Sequence, residues 1–161
     1  MVDFATLADL DELADRWVDL AHEQRPHGSY IRAFENRDVI RTNFARHIVD
    51  DGVLVDRADG RIVGFVMFEV SGGDLSLDVT RGMIHNLYVV PEYRNAGRGP
   101  TLLAAAEAAL QNRGVDSVQL EVMAGNERAR SFYAREGYEE HRVVMEKRVR
   151  VESDTNAKDH D

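Results

Sequence analysis

The stretch Leu87-Tyr88-Val89-Val90-Pro91-Glu92-Tyr93-Arg94-Asn95-Ala96-Gly97-Arg98-Gly99-Pro100-Thr101-Leu102-Leu103 decides how this chain is read. Four residues of high strand preference end at a proline, a short turn holds two glycines, and an apolar helical pattern follows. Gly97 and Gly99 lack a Cβ, so the backbone there can bend sharply and admit a ligand close to its amides. The first turn of the next helix leaves N–H groups unpaired at the positive end of its dipole. Strand, turn and helix start together make an anion site suited to a phosphate or diphosphate. Arg94 and Arg98 add local positive charge. Other phosphate loops fit less well: no Lys follows Gly99 as a Walker loop requires, and a dinucleotide fingerprint needs glycine where Leu102 stands.

Working downstream, the helix is expected from about Pro100 to Arg113, with Leu102, Leu103, Ala106 and Leu110 as its apolar stripe. Pro100 suits its first position and Gly114 its end. A strand is expected at Ser117–Met123, a helix from Asn126 to Glu136 closed by Gly137, and a last strand at about Tyr138–Val149. Upstream, Met83 to Val90 reads as a strand whose apolar parity slips between Ile84 and Leu87. A β-bulge near His85–Asn86 produces such a slip, and so does a strand buried on both faces, whose parity carries no information. The spacing of Leu7, Leu10, Leu13, Ala14, Trp17, Val18 and Ala21 predicts an amphipathic helix. A loop at His22–Asn36 and a second helix at about Arg37–Asp50 follow, the latter burying Val39, Ile40, Phe44, Ile48 and Val49. Val53–Asp56 and Ile62–Val70 flank an Asp59-Gly60 hairpin turn. Strand, helix, strand over residues 83–123 is a right-handed parallel crossover within an otherwise antiparallel sheet, so the class is mixed α/β. One domain is expected over residues 1–151, and a disordered acidic tail over 152–161.

Bulk properties remove several classes of function. The 161 residues carry a formal net charge of −9, so an extended nucleic-acid surface is not expected. No apolar run is long enough to span a membrane, and the acidic N-terminus is no signal peptide. There is no cysteine, which excludes disulfide scaffolds and thiol nucleophiles and fits a cytoplasmic location. Only two of the 20 basic residues, Lys147 and Lys158, are lysines; a halophile-like acidic proteome and a GC-rich genome explain that equally well. The six histidines show no paired ligand spacing, so no metal is expected. No GxSxG elbow is present.

The turn and its surroundings resemble the GNAT superfamily of N-acetyltransferases. That family's loop of Arg or Gln, two residues, Gly, one residue, Gly or Ala is matched by Arg94, Gly97 and Gly99, after a strand carrying Leu87 and Val89. A second motif follows in the right order: Leu120-Glu121-Val122, Asn126, Ala129, Phe132-Tyr133 and Gly137-Tyr138. The match is detailed over residues 83–138 and only architectural before them. It implies an α/β GNAT fold: a mixed, mostly antiparallel sheet of six or seven strands, about four flanking helices, and a parallel strand pair that splays apart. It implies acetyl-CoA (coenzyme A) as co-substrate and an amine acceptor as partner. The pantetheine arm would bond to the backbone of Leu87, Tyr88 and Val89 as an added strand does. Amides from Asn95, Ala96, Gly97, Arg98 and Gly99, with Thr101, would hold the diphosphate, and Asn126 caps its helix and touches the coenzyme. Pro100 departs from the family pattern by removing one N–H. A homodimer through the C-terminal strand is expected by the same resemblance.

Acyl transfer needs a neutral amine and a protonated or stabilised leaving thiolate. By resemblance, Tyr133 is the general acid. His85, at the presumed bulge, is a candidate base because imidazole is the side chain suited to proton exchange at neutral pH; Glu121 and Glu69 compete with it, as does a water chain. The acceptor is expected to enter past His22, Glu23, His27, Tyr30, Arg32 and Glu35 on one side and Asp74 and Asp78 on the other. The reading is therefore an acetyl-CoA-dependent N-acetyltransferase acting by direct attack, against a rival: a non-catalytic acyl-CoA-binding regulatory module.

Overall fold

A computed structural model describes residues 1–150, so the expected tail lies outside the described residues. Its centre is a sheet of five strands: β1 (Val2–Phe4), β2 (Val53–Ala58), β3 (Arg61–Val70), β4 (Arg81–Val89) and β5 (Ser117–Leu120), in that spatial order. All neighbours are antiparallel except β4 and β5, which run parallel. The β2–β3 hairpin closes as its Asp-Gly pair predicts. Asp59 (φ 52°) and Gly60 (φ 77°) are both left-handed, the requirement of the turn whose twist matches paired strands.

Two layers of helix cover the sheet. On one face α1 (Leu10–Gln24) and α2 (Arg37–Val49) bury Leu13, Ala14, Trp17, Phe44 and Ile48 against Val55, Phe65, Met67 and Tyr88. On the other, α3 (Arg98–Asn112) buries Leu102, Leu103, Ala106 and Leu110 against Leu54, Val66, Phe68 and Ile84. The short α4 (Glu127–Arg135) packs Phe132 and Tyr133 onto that second cluster. β3 is buried on both faces, which is why its sequence reads as a nearly continuous apolar run.

Several expectations need correcting. Leu7, Val39 and Val49 stand exposed rather than buried. β5 stops at Leu120, and α3 begins at Arg98, so Pro100 is its third residue rather than its first; it still lies in the turn where a missing N–H removes no helical bond. The strand β1 was not foreseen. The sheet has five strands, not six or seven, because the expected last strand does not form: residues 138–150 carry no regular structure, and 139–150 are exposed. β5 offers a free edge of only four residues, and a groove of about 1100 Å³ runs along it, lined in part by Ser117, Val118, Gln119 and Tyr138. A strand is stabilised by cross-strand neighbours, and without them the strand preference of Val143 and Val144 is not realised.

The parity slip in β4 is resolved as a bulge. Met67 pairs with Asn86 and Phe68 with Ile84, leaving His85 as the extra residue. The parallel ladder to β5 ends at the same place, its last rung joining Ile84 to Leu120. Beyond that rung β4 and β5 no longer pair, and the β5-facing edge of β4 from His85 to Val89 carries no partner strand among the described residues. The end of the parallel ladder and the bulge coincide.

Candidate functional site

The turn from β4 into α3 alternates the hand of its backbone. Asn95 (φ 62°) and Gly97 (φ 83°) are left-handed, and alternating hands of backbone turn successive N–H groups to one side. Asparagine tolerates that region better than most residues, and glycine is the default there. Among the described residues no protein acceptor takes the N–H of Asn95, Ala96, Gly97, Arg98 or Gly99. Thr101 behaves differently: its N–H (3.1 Å) and its hydroxyl (2.8 Å) both donate to the Gly97 carbonyl, which fixes the end of the turn. Five consecutive free donors at a helix start have the geometry and polarity that suit an anion.

The two loop arginines are not free. The Arg94 Nε donates to the Val89 carbonyl at 2.6 Å, and its terminal nitrogen reaches both oxygens of Glu23 at 2.9 and 2.8 Å. Tyr88, whose ring lies 5.4 Å from that guanidinium, donates its hydroxyl to the same carboxylate at 2.9 Å. Burial, then the Glu23 carboxylate, pushes the Tyr88 phenol well above its usual range. Arg98 donates to the buried Asp56 carboxylate at 2.8 Å, which also accepts from the N-terminal ammonium at 3.0 Å. Both guanidinium groups therefore brace the loop against α1 and β2, and the positive potential at its mouth comes from amides and the α3 dipole. Glu23, expected at the acceptor entrance, is part of this brace. Replacing Glu23 by alanine removes hydrogen bonds to a charged group that is 17% exposed, and lowers stability by about 2 kcal/mol in urea unfolding.

Tyr133 lies in α4, packed at 5.1 Å from the Phe132 ring and 5.8 Å from that of Tyr138. Its hydroxyl bonds to no described residue, and burial pushes its pKa up to about 12. Phe132, one residue earlier, underlies the loop: a Cβ on Gly99 would meet its ring at 3.7 Å, so the same helix touches the anion turn and carries the phenol. Asn126 is the helix cap as expected, its side-chain oxygen accepting from Ala129 N at 3.1 Å. It is buried, 9% exposed.

His85 and Glu121 are the first residues past the last β4–β5 rung, one on each arm of the fork. His85 is bonded through Nε2 to the Glu69 carboxylate, on β3. Sequence reasoning named both residues but missed their neighbour. His47, in the last turn of α2, stacks edge-on against His85 with ring centroids 5.6 Å apart. Burial alone would raise the Glu69 carboxyl, but the His85 bond and both imidazoles hold it below its usual value.

Comparison with known proteins places this geometry. The sequence model of the Acetyltransferase (GNAT) family matches residues 10–138. An uncharacterised N-acetyltransferase of Mycobacterium bovis is 31% identical over 137 residues, covering 82% of this chain and 84% of its own. Among solved structures, a crystallised mutant protein from Bacillus halodurans superposes with a TM-score of 0.82 at 21% identity, over 92% of this chain and 99% of that one. A PaiA N-acetyltransferase from Thermoplasma acidophilum, solved with coenzyme A, has a TM-score of 0.67 at 20% identity, over 86% and 89% of the two chains. No helix of the described residues is long and apolar enough to cross a membrane. The fork, the free amides behind it and the family match agree, and the chain belongs to the GNAT family of acetyltransferases and is an acyltransferase.

Proposed function

We propose that the protein moves an acetyl group from acetyl-CoA to a primary amine of a small molecule or peptide by direct attack on the thioester. One observation carries this reading: five adjacent amides without acceptors at the β4–α3 turn, in line with the unpaired edge of β4. A diphosphate seated on Asn95–Gly99 directs the pantetheine arm along Leu87–Val89, where backbone groups receive it as a further strand. The thioester then arrives at the fork between His85 and Glu121, within the region that Tyr133 borders.

The chemistry balances as ammonium plus thioester giving amide, thiol and one proton. The nitrogen–carbon bond forms, the carbon–sulfur bond breaks, and of the two protons leaving nitrogen one ends on sulfur and one in solvent. The first must leave before attack, since an ammonium with pKa about 10.4 has no lone pair. It departs at the mouth of the fork, where His85, Glu121 and water are the candidate acceptors. Tyr133 supplies the donor facing sulfur. Asn126 holds the start of α4, and with it the phenol, in register with the loop. A coenzyme A complex of a related fold supports the coenzyme; the acceptor is read from the chemistry alone.

The deciding experiment measures thiol release from acetyl-CoA across a panel of primary amines, with coenzyme A binding followed by calorimetry. Release with at least one amine is expected, at rates well above solvent hydrolysis. Coenzyme binding without release for any amine would instead favour the regulatory module.

A further inference from the structure

Three side chains, one of them the His85 that flanks the fork, converge where α2, β3 and β4 meet. We infer that His47 Nε2, Glu69 Oε2 and His85 Nε2 form a binding site for a divalent first-row transition metal ion of the zinc or cobalt kind. One ligand atom from each of the three residues lies within 4.8 Å of the other two. The inference stands independently of the acyl transfer proposed above, and it departs from the expectation, based on linear spacing, that the chain holds no metal.

His47 carries the argument. Its Nδ1 lies 2.9 Å from the Asn43 carbonyl. A carbonyl only accepts, so Nδ1 holds the ring proton and Nε2 presents a lone pair. That Nε2 is fully buried and has no hydrogen-bond partner among the described residues. The residue is 8% exposed. The nearest charged group is the Glu69 carboxylate, 3.7 Å away, which also offers lone pairs. A buried imidazole lone pair turned toward a carboxylate is costly unless something positive lies between them. A second ring proton on His47 would supply charge, but at 3.7 Å it would make no hydrogen bond. A metal ion satisfies all three groups at once. The bond from His47 to a backbone carbonyl is also the outer-shell contact that fixes the tautomer of a ligating histidine.

The fold builds this convergence deliberately. Gly52 lets the end of α2 ride directly on β3: its N–H donates to the His47 carbonyl at 2.7 Å, and its carbonyl accepts from Phe68 N at 2.8 Å. A Cβ at Gly52 would stand 2.4 Å from the Phe68 carbonyl oxygen, so no other residue fits. The bulge then turns His85 toward the same place, one residue past Ile84. Two nitrogens on one tetrahedral ion sit about 3.3 Å apart, within reach of small side-chain rotations here. Two imidazoles with one carboxylate select a transition metal over magnesium or calcium, which prefer oxygen ligands. On binding, the Nε2 proton that His85 donates to Glu69 moves to Nδ1 or to solvent, and the ion takes the freed lone pair. Glu69 (48% exposed side chain) and His85 (34%) form the open side of the site, leaving a coordination position toward the fork. The ion pins α2 to the bulge.

The test uses the full chain with any affinity tag removed and adventitious metal stripped by chelation and dialysis. Calorimetric titration with zinc chloride is expected to show one site per chain with Kd below about 10 μM. Cobalt(II) is expected to give the visible absorption of a four- or five-coordinate nitrogen–oxygen site. At a hundredfold excess of zinc over Kd, the unfolding midpoint rises by about 5 °C or more. His85→Gln and Glu69→Gln, both at partly exposed positions, weaken zinc at least tenfold, and His47→Gln does the same if it folds. His141→Gln, in the exposed segment after α4, leaves zinc binding unchanged. Absence of any heat or absorbance change up to about 100 μM metal overturns the proposal. So does binding that His85→Gln and Glu69→Gln leave intact, because the ion is then held elsewhere.

Discussion

Replacing Gly97 by valine weakens coenzyme A binding at least about 100-fold, a loss of roughly 2.7 kcal/mol, while the chain stays folded. Gly97 has φ 83° and stands in open space, with nothing within 4 Å of where a Cβ would lie. The substitution therefore meets no clash in the core, but a β-branched residue is strained in the left-handed region. The backbone relieves that strain by rotating φ to a negative value, which turns the Gly97 and Arg98 amides out of the cradle. Each charge-assisted hydrogen bond so lost is worth about 1.5–3 kcal/mol, and two suffice for the expected effect. Calorimetry with coenzyme A reads it. Gly114→Val is the control: Gly114 has φ 88°, also has nothing near its missing Cβ, and caps the far end of the same helix. It carries the same strain and no ligand. A normal Kd in Gly97→Val, or an equal loss in the control, removes the amide cradle from the argument.

Local features of this fold were legible because local chemistry determines them. The Asp59-Gly60 pair needs two left-handed residues, and both are left-handed. The slipped parity of Ile84 and Leu87 corresponds to one unpaired residue, His85, and the alternative of a strand without register information does not hold. What escaped notice depends on partners distant in sequence. β1 is three residues long and exists through pairing with β2 some fifty positions on. The apolar run Val143-Val144-Met145 reads as a strand in isolation, yet it pairs with no strand among the described residues and is exposed throughout. Strand preference records packing that must be supplied from elsewhere.

The site divides along the same line. Gly97, Gly99 and the start of α3 form a contiguous motif, so their phosphate-binding character could be argued from one window. The arginines in that window invited a direct role in charge neutralisation. Their true neighbours, Glu23 and Asp56, lie 71 and 42 positions away, and no local pattern announces them. His47, Glu69 and His85 come from three separate elements, none with ligand spacing of its own. Glu69 continues the row of Phe65 and Met67 on the face that α1 and α2 cover, but only the docking of α2 through Gly52 shows what it meets there.

Tyr133→Phe is expected to lower kcat about 100-fold while changing the KM for acetyl-CoA by less than about threefold. The variant is clean: the Tyr133 hydroxyl has no partner among the described residues, so its removal leaves none of their buried groups unsatisfied, and the ring keeps its packing on Phe132 and Tyr138. The phenol's role follows from its raised pKa. Burial holds it at about 12. An alkyl thiol has a pKa of about 8.5, so full proton transfer from phenol to a free thiolate is uphill by about 5 kcal/mol. In the proposed mechanism Tyr133 acts first as a hydrogen-bond donor to sulfur while the carbon–sulfur bond breaks, and a proton from the attacking nitrogen completes the thiol. The pH dependence has a definite sign. A donor must be protonated, and raising its pKa extends the protonated range upward, so this phenol imposes no alkaline fall in kcat below about pH 11. The steady-state pH profiles of both proteins check this together with the rate. Unchanged turnover in Tyr133→Phe eliminates the donor. An alkaline limb near pH 9 that vanishes with the substitution shows a phenol far more acidic than its burial allows.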